Sequence, residues 1–125
     1  MKRMLFITIP HDHQRYDTVG DYQEAHGVIC FTISDMDNEK YEQLVAVHEL
    51  VEKILCNARG IKDADIDKFD MDFEQGRDFG NESEPGHDKR APYHAEHVFA
   101  EKIERLLAIE LGIDWDIYDK TVTAL

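Results

Sequence analysis

Cysteine is scarce in this chain: two residues, Cys30 and Cys56, among 125. Two thiols cannot build the disulfide framework that holds many small secreted domains together, so both are expected as buried thiols in a reducing cytoplasm. Basic residues are outnumbered, with 14 Lys and Arg against 27 Asp and Glu and a net charge of −13. A binder of nucleic-acid phosphates needs a basic face, so a nucleic-acid partner is not expected. The same charge suits a cation binder or a partner with a basic surface. Long apolar runs are also missing. None approaches the roughly 18 residues of a membrane span, and the apolar part of MKRMLFITIP is too short for the core of a signal peptide. What remains is a chain that is 42% hydrophobic and 10% aromatic, enough for one domain over residues 1–125 with its own core.

The pattern of apolar residues predicts an α+β fold. Met4 to Ile9 is a short β-branched run ended by Pro10, and HGVICFTIS, residues 26–34, is rich in Val, Ile, Phe and Thr; both read as strands. The polar stretch HDHQRYDTVGD between them reads as a connection. After the turn SDMDN, with Asp37 or Asn38 as N-cap, a helix is expected over about 39–58 and a stop at Gly60. Ile66, Phe69 and Phe73 recur at helical spacing in DADIDKFDMDFEQ, with acids on the other face, and Gly76 can end that segment. GRDFGNESEPGHDKRAP, residues 76–92, is irregular and reads as a loop, a lid or mobile segment. A second strongly patterned helix is expected over about 93–111, with Pro92 near its start and Gly112 just past its end. The tail IDWDIYDKTV is expected to pack Trp115 and Tyr118 back onto the domain. The architecture predicted is a small N-terminal sheet on two long helices.

Polar residues sit where these helices should be apolar. With His48 at 0° and about 100° per residue, Leu44, Val47, Val51, Ile54 and Leu55 fall on one arc, and Tyr41, Val45 and Cys56 continue it past His48. His48 and Glu52 lie inside this sector; Glu49 stands at its boundary, and Lys53 falls on the solvated side. A buried ionised carboxylate needs a partner or a metal. His48 and Glu52 are spaced i, i+4, so both can aim at one atom, the spacing of the two zinc ligands in HExxH helices. On the second helix Ala95, Phe99, Ile103, Leu106 and Leu107 define the expected core face, with Glu96 on its side and His97 at its edge. If the helices cross, His48 and Glu52 can meet Glu96 and His97. The expectation is one divalent metal held by His48, Glu52 and His97, with Glu96 as fourth ligand or outer partner. Two imidazoles plus carboxylate suit zinc, and manganese or iron accept the same set. Glu49, beside the ligand stripe, is the candidate general base. The alternative is that His48 and Glu52 simply satisfy each other. Glu101, Glu104, His94 and the acids of DADIDKFDMD read as solvated, and His11 and His13 as surface residues.

HELVE and APYHAEH resemble short bacteriophage and prophage proteins, a resemblance that extends over QRYDTVGDY, ISDM and ERLLAIELGIDW and so over most of the chain. A strand followed by a helix bearing HE is also similar to the zincin metallopeptidase arrangement. That likeness implies His48 as a ligand and Glu49 as the base that deprotonates a metal-bound water. Glu52 stands where the second histidine would be, and no HExxH occurs in the chain. Three functions follow as expectations: a zincin-like metal-dependent hydrolase; a non-catalytic accessory or anti-defence protein binding a host protein through its acidic face; and an all-α nucleotide pyrophosphohydrolase, for which Glu49/Glu52 and Glu101/Glu104 supply ExxE spacing.

Overall fold

The computed structural model describes residues 2–78, 81 and 83–125. Its secondary structure is α+β, a three-stranded sheet with four helices. Strand β1 is Arg3–Ile9, β2 is Gly20–Ala25 and β3 is Val28–Ser34. The order across the sheet is β1-β3-β2, with β1 parallel and β2 antiparallel to the central β3. β2 and β3 join through a two-residue loop in which His26 (φ 52°) and Gly27 (φ 76°) are both left-handed, the backbone that matches strand twist in a tight hairpin. The alternation of β3 buries Ile29, Phe31 and Ile33 on the face toward the helices. Phe6 stacks on Phe31 at 4.4 Å between ring centroids.

β2 corrects the expectation that HDHQRYDTVGD, residues 11–21, is only a polar connection, since Gly20 and Asp21 open a strand that runs on to Ala25. GDYQEA has one large apolar side chain, Tyr22, so strand periodicity is invisible in it. The strand is held by its ladder and by Asp21, whose buried carboxylate takes the Nε and Nη2 donors of Arg15 at 2.8 and 2.9 Å.

Helix α1 is Glu39–Ala58, α2 is Asp63–Gln75, α3 is His94–Glu110 and α4 is Trp115–Thr123. The first three match the expected segments to within a residue or two; α4 forms within the tail that was expected only to pack back. Asn38 caps α1, its Oδ1 accepting from the Tyr41 amide at 3.1 Å. Both long helices end in the same way. Gly60 and Gly112 take φ 69°, and the amides of Ile61 and Ile113 reach back to the carbonyls of Cys56 and Ala108, each at 2.9 Å.

The face that α3 turns inward is not the one that apolar periodicity marks, and that of α1 is shifted from it. α1 buries Leu44, Val45, His48, Glu52, Lys53 and Cys56, while Ile54 is 55% exposed. α3 buries Glu96, His97, Ala100, Glu104 and Ala108 and leaves Phe99, Leu106 and Ile109 in solvent. α3 is therefore rotated by roughly a third of a turn from its expected orientation, whereas α1 keeps His48, Glu52, Leu44, Val45 and Cys56 inward as expected and is shifted only enough to bury Lys53 and release Ile54. The small residues Ala100 and Ala108 let α1 and α3 pack face to face, and the polar residues between them occupy the seam. Lys53, expected in solvent, is buried against Asp63 (2.9 and 3.0 Å) and Glu24 (3.3 Å). No helix among the described residues is long and apolar enough to cross a membrane.

Candidate metal centre

The seam between α1 and α3 brings His48, Glu52 and His97 together. His48 Nε2 lies 3.2 Å from Glu52 Oε2 and 3.2 Å from His97 Nδ1, and His97 Nδ1 lies 3.0 Å from the same Glu52 oxygen. Three potential ligand atoms thus form a nearly equilateral triangle. Bond lengths of about 2.0–2.1 Å at tetrahedral angles put zinc ligands about 3.3–3.4 Å apart, so a small expansion would turn the observed triangle into one face of a zinc tetrahedron. All three residues are buried.

Each of the three is aimed by a further group. His48 Nδ1 donates to Glu104 Oε1 at 2.7 Å, and Tyr118 donates its hydroxyl to Glu104 Oε2 at 2.6 Å. Glu52 Oε1 accepts from the Tyr22 hydroxyl at 2.9 Å. His97 Nε2 donates to Glu84 Oε2 at 3.0 Å. Ionised carboxylates only accept, so these bonds place the imidazole protons on His48 Nδ1 and His97 Nε2. The neutral rings then point two nitrogen lone pairs and one carboxylate oxygen at a common point. Such a point repels itself unless a cation, a proton or a metal, occupies it. The hydrogen-bonded carboxylates overcome the effect of burial and raise His48 well above its ordinary range and His97 to about 9. The imidazoles likewise outweigh burial at Glu52, whose pKa falls to about 2.

Glu49 lines the adjoining cavity, which measures about 110 Å³ and is also walled by Tyr16, Asp70, Tyr93 and Trp115. Among the described residues its carboxyl has no hydrogen-bond partner. Burial, and then the charge of Glu52, raise its pKa well above the usual carboxylate range. Gly20 of β2 lies against it: a Cβ there would sit 2.7 Å from Glu49 Cγ and Oε1, so glycine is the residue that allows β2 to cross this close.

The expected ligand Glu96 does not join the cluster. Although buried, it pairs with Arg59 Nη1 at 2.5 Å, because neighbouring helical residues diverge by about 100° and His97 takes the inward direction. Glu104 replaces it as the carboxylate that completes the site, correcting its reading as solvated. Glu84 and Asp70 were also missed. Glu84 comes from the irregular segment, of which Phe79, Gly80 and Glu82 lie outside the described residues. Asp70 is buried beneath the hydroxyls of Tyr16 (2.8 Å) and Tyr93, and burial lifts its pKa to about 6. Only the i, i+4 relations of Asp70 to buried Ile66 and of Glu104 to buried Ala100 and Ala108 hinted at these two carboxylates. His94 is half-buried and donates to the Gly86 carbonyl at 2.9 Å. His11 bonds Ser34 and Asp17, both at 2.8 Å, away from the centre. Comparison with protein-family models, curated proteins and solved structures finds no match to the chain, so the chemistry of the centre rests on its own residues.

Proposed function

We propose that this chain is a divalent-metal protein of bacteriophage or prophage type that acts in the host cytoplasm as a zincin-like, metal-dependent hydrolase. The observation that carries the reading is the triangle of His48 Nε2, His97 Nδ1 and Glu52 Oε2, each atom fixed by its own outer partner. Carboxylates behind metal-binding imidazoles set the tautomer and the ring orientation in the same manner. Two nitrogens and one oxygen favour zinc, and manganese or iron accept the set. A divalent ion there supplies Lewis acidity and lowers the pKa of water to about 7. The chain's own part is to orient the ion, to exclude bulk water, and to take a proton at Glu49. That carboxyl follows His48 directly, faces the cavity, and is made a stronger proton acceptor than an exposed carboxylate by burial and the charge of Glu52.

The test is elemental analysis of protein purified without chelator and without a His-tag. One tightly held ion per chain is expected, and His48→Ala should lose it. A native protein that neither carries nor takes up zinc, manganese or iron refutes the reading.

A second reading, an accessory protein that binds a host protein, is favoured by a different observation. Met4, Leu5, Phe6 and Ile7 are 38–61% exposed on β1, and α3 exposes Phe99, Leu106 and Ile109. A chain that holds its ion, hydrolyses no ester, amide or phosphoanhydride, and has the same effect in cells as its Glu49→Gln variant supports this second reading.

A further inference from the structure

His97 faces a second histidine–carboxylate group with its other nitrogen. The short 3-10 turn Pro85–His87 carries His87 over α3, with the two rings 4.9 Å apart between centroids. His87 Nε2 lies 3.2 Å from Glu101 Oε1 and 3.8 Å from Glu84 Oε2, and Glu84 Oε2 lies 3.0 Å from His97 Nε2. Ligand atoms of Glu84, His87 and His97 all fall within 4.8 Å of one another, and Glu101 adds an oxygen beside His87. Glu84 and Glu101 also line the cavity, whose described wall includes no lysine or arginine. Gly86 holds the turn against the ring: a Cβ at Gly86 would sit 2.3 Å from His97 Cγ.

We propose an outer divalent-cation site made by Glu84, His87, His97 and Glu101, which shares His97 with the inner centre through opposite nitrogens of one ring. This rests on the reading of the inner site given above. Two carboxylates balance the charge of a divalent ion, and two imidazole nitrogens complete a set that zinc, copper or manganese accepts. The outer residues differ from the inner ones in access. The His87 and Glu84 side chains are 42% and 44% exposed, so an ion reaches them from solvent. Occupying both sites requires the proton on His97 Nε2 to leave for solvent. Glu84 then changes from accepting that proton's hydrogen bond to binding the ion, and the ring becomes an anion held between two cations. The inner site fills first because its three ligand atoms are buried and already converge, so that an ion has only to displace the proton held among them. The outer site fills second because it must in addition remove the last ring proton of His97, and so it is the weaker of the two and the one whose filling is linked to the harder deprotonation.

The experiment is a zinc titration of the chelator-stripped, untagged full chain, followed by native mass spectrometry and by calorimetry in buffers of different ionisation enthalpy. Two equivalents are expected, with release of an additional proton on the second. His87→Ala, a change at a half-exposed turn, should lose the second equivalent and keep the first with unchanged affinity, and Glu101→Gln should weaken the second at least tenfold. If the wild-type chain binds one zinc and His87→Ala binds it equally, the outer site is refuted and the inner one stands. If a second equivalent binds without the extra proton, His97 is not shared and the proposal is overturned. If no zinc binds at all, the inner reading fails as well.

Discussion

His48 on α1 and Glu104 on α3 are joined by a 2.7 Å hydrogen bond between side chains 56 residues apart in sequence. The bond fixes His48 as the Nδ1–H tautomer and leaves Nε2 facing Glu52 and His97. Glu104 is held in turn by Tyr118 of α4, so the C-terminal helix reaches the centre through one carboxylate. Glu104→Gln preserves size but removes the charge and one of its two acceptors. It should lower zinc affinity about 10–100-fold while circular dichroism stays native; competition with a chromophoric chelator measures this.

Metal-free protein should respond to pH in the opposite direction from metal binding. His97 has a folded pKa of about 9 against an ordinary 6.5. Its protonated form therefore stabilises the fold fully below about 6.5, and that stability is lost as pH rises to about 9. Chelator-treated protein should show a falling Tm across this window, whereas zinc affinity should rise as the same protons leave. A flat Tm between pH 6.5 and 9 contradicts the assignment of the proton to the cluster.

Glu49→Gln should retain the inner ion, since Glu49 lies outside the ligand triangle, and should abolish hydrolysis. The same change should raise Tm above pH 7, because it removes a buried carboxyl whose ionisation is opposed by burial and by Glu52. Thermal denaturation beside activity assays tests both halves together.

Gly86→Ala should damage the centre from outside it. The new methyl meets the His97 ring at 2.3–2.7 Å, and the turn or the ring must move. A loss of about 1–3 kcal/mol in stability is expected from such overpacking, together with weaker zinc binding, read by chemical denaturation with and without the metal.

Glu96→Gln serves as the contrasting case. Its partner Arg59 is 53% exposed at the side chain, so the pair is worth no more than about 1 kcal/mol, and zinc stoichiometry and affinity should be unchanged. A loss of metal in Glu96→Gln returns that residue to the ligand set.

Strand, helix and stop signals were legible because they are local. β-branched runs mark β1 and β3, Asn38 marks the start of α1, and Gly60 and Gly112 mark the ends of α1 and α3. The grouping of His48, Glu52 and His97 was legible as well, because a carboxylate and imidazoles placed near apolar faces demand a common partner. Which face α3 buries, and that the buried face of α1 takes in Lys53 and leaves out Ile54, was decided only by the tertiary structure. Periodicity ranks faces by apolar content, yet α1 and α3 approach each other on small and hydrogen-bonded residues and leave Ile54, Phe99 and Leu106 outside. A polar seam is stable when its members satisfy one another, and that depends on residues far apart in the chain: Glu104 behind His48, Tyr22 behind Glu52, Glu84 behind His97. No periodicity in a single segment encodes those pairings. The sequence alone therefore determined β1, β3, the helices α1 to α3 and the three residues at the centre, while the packing of α3 on α1 decided that Glu104 and Glu84 face the site and Glu96 does not.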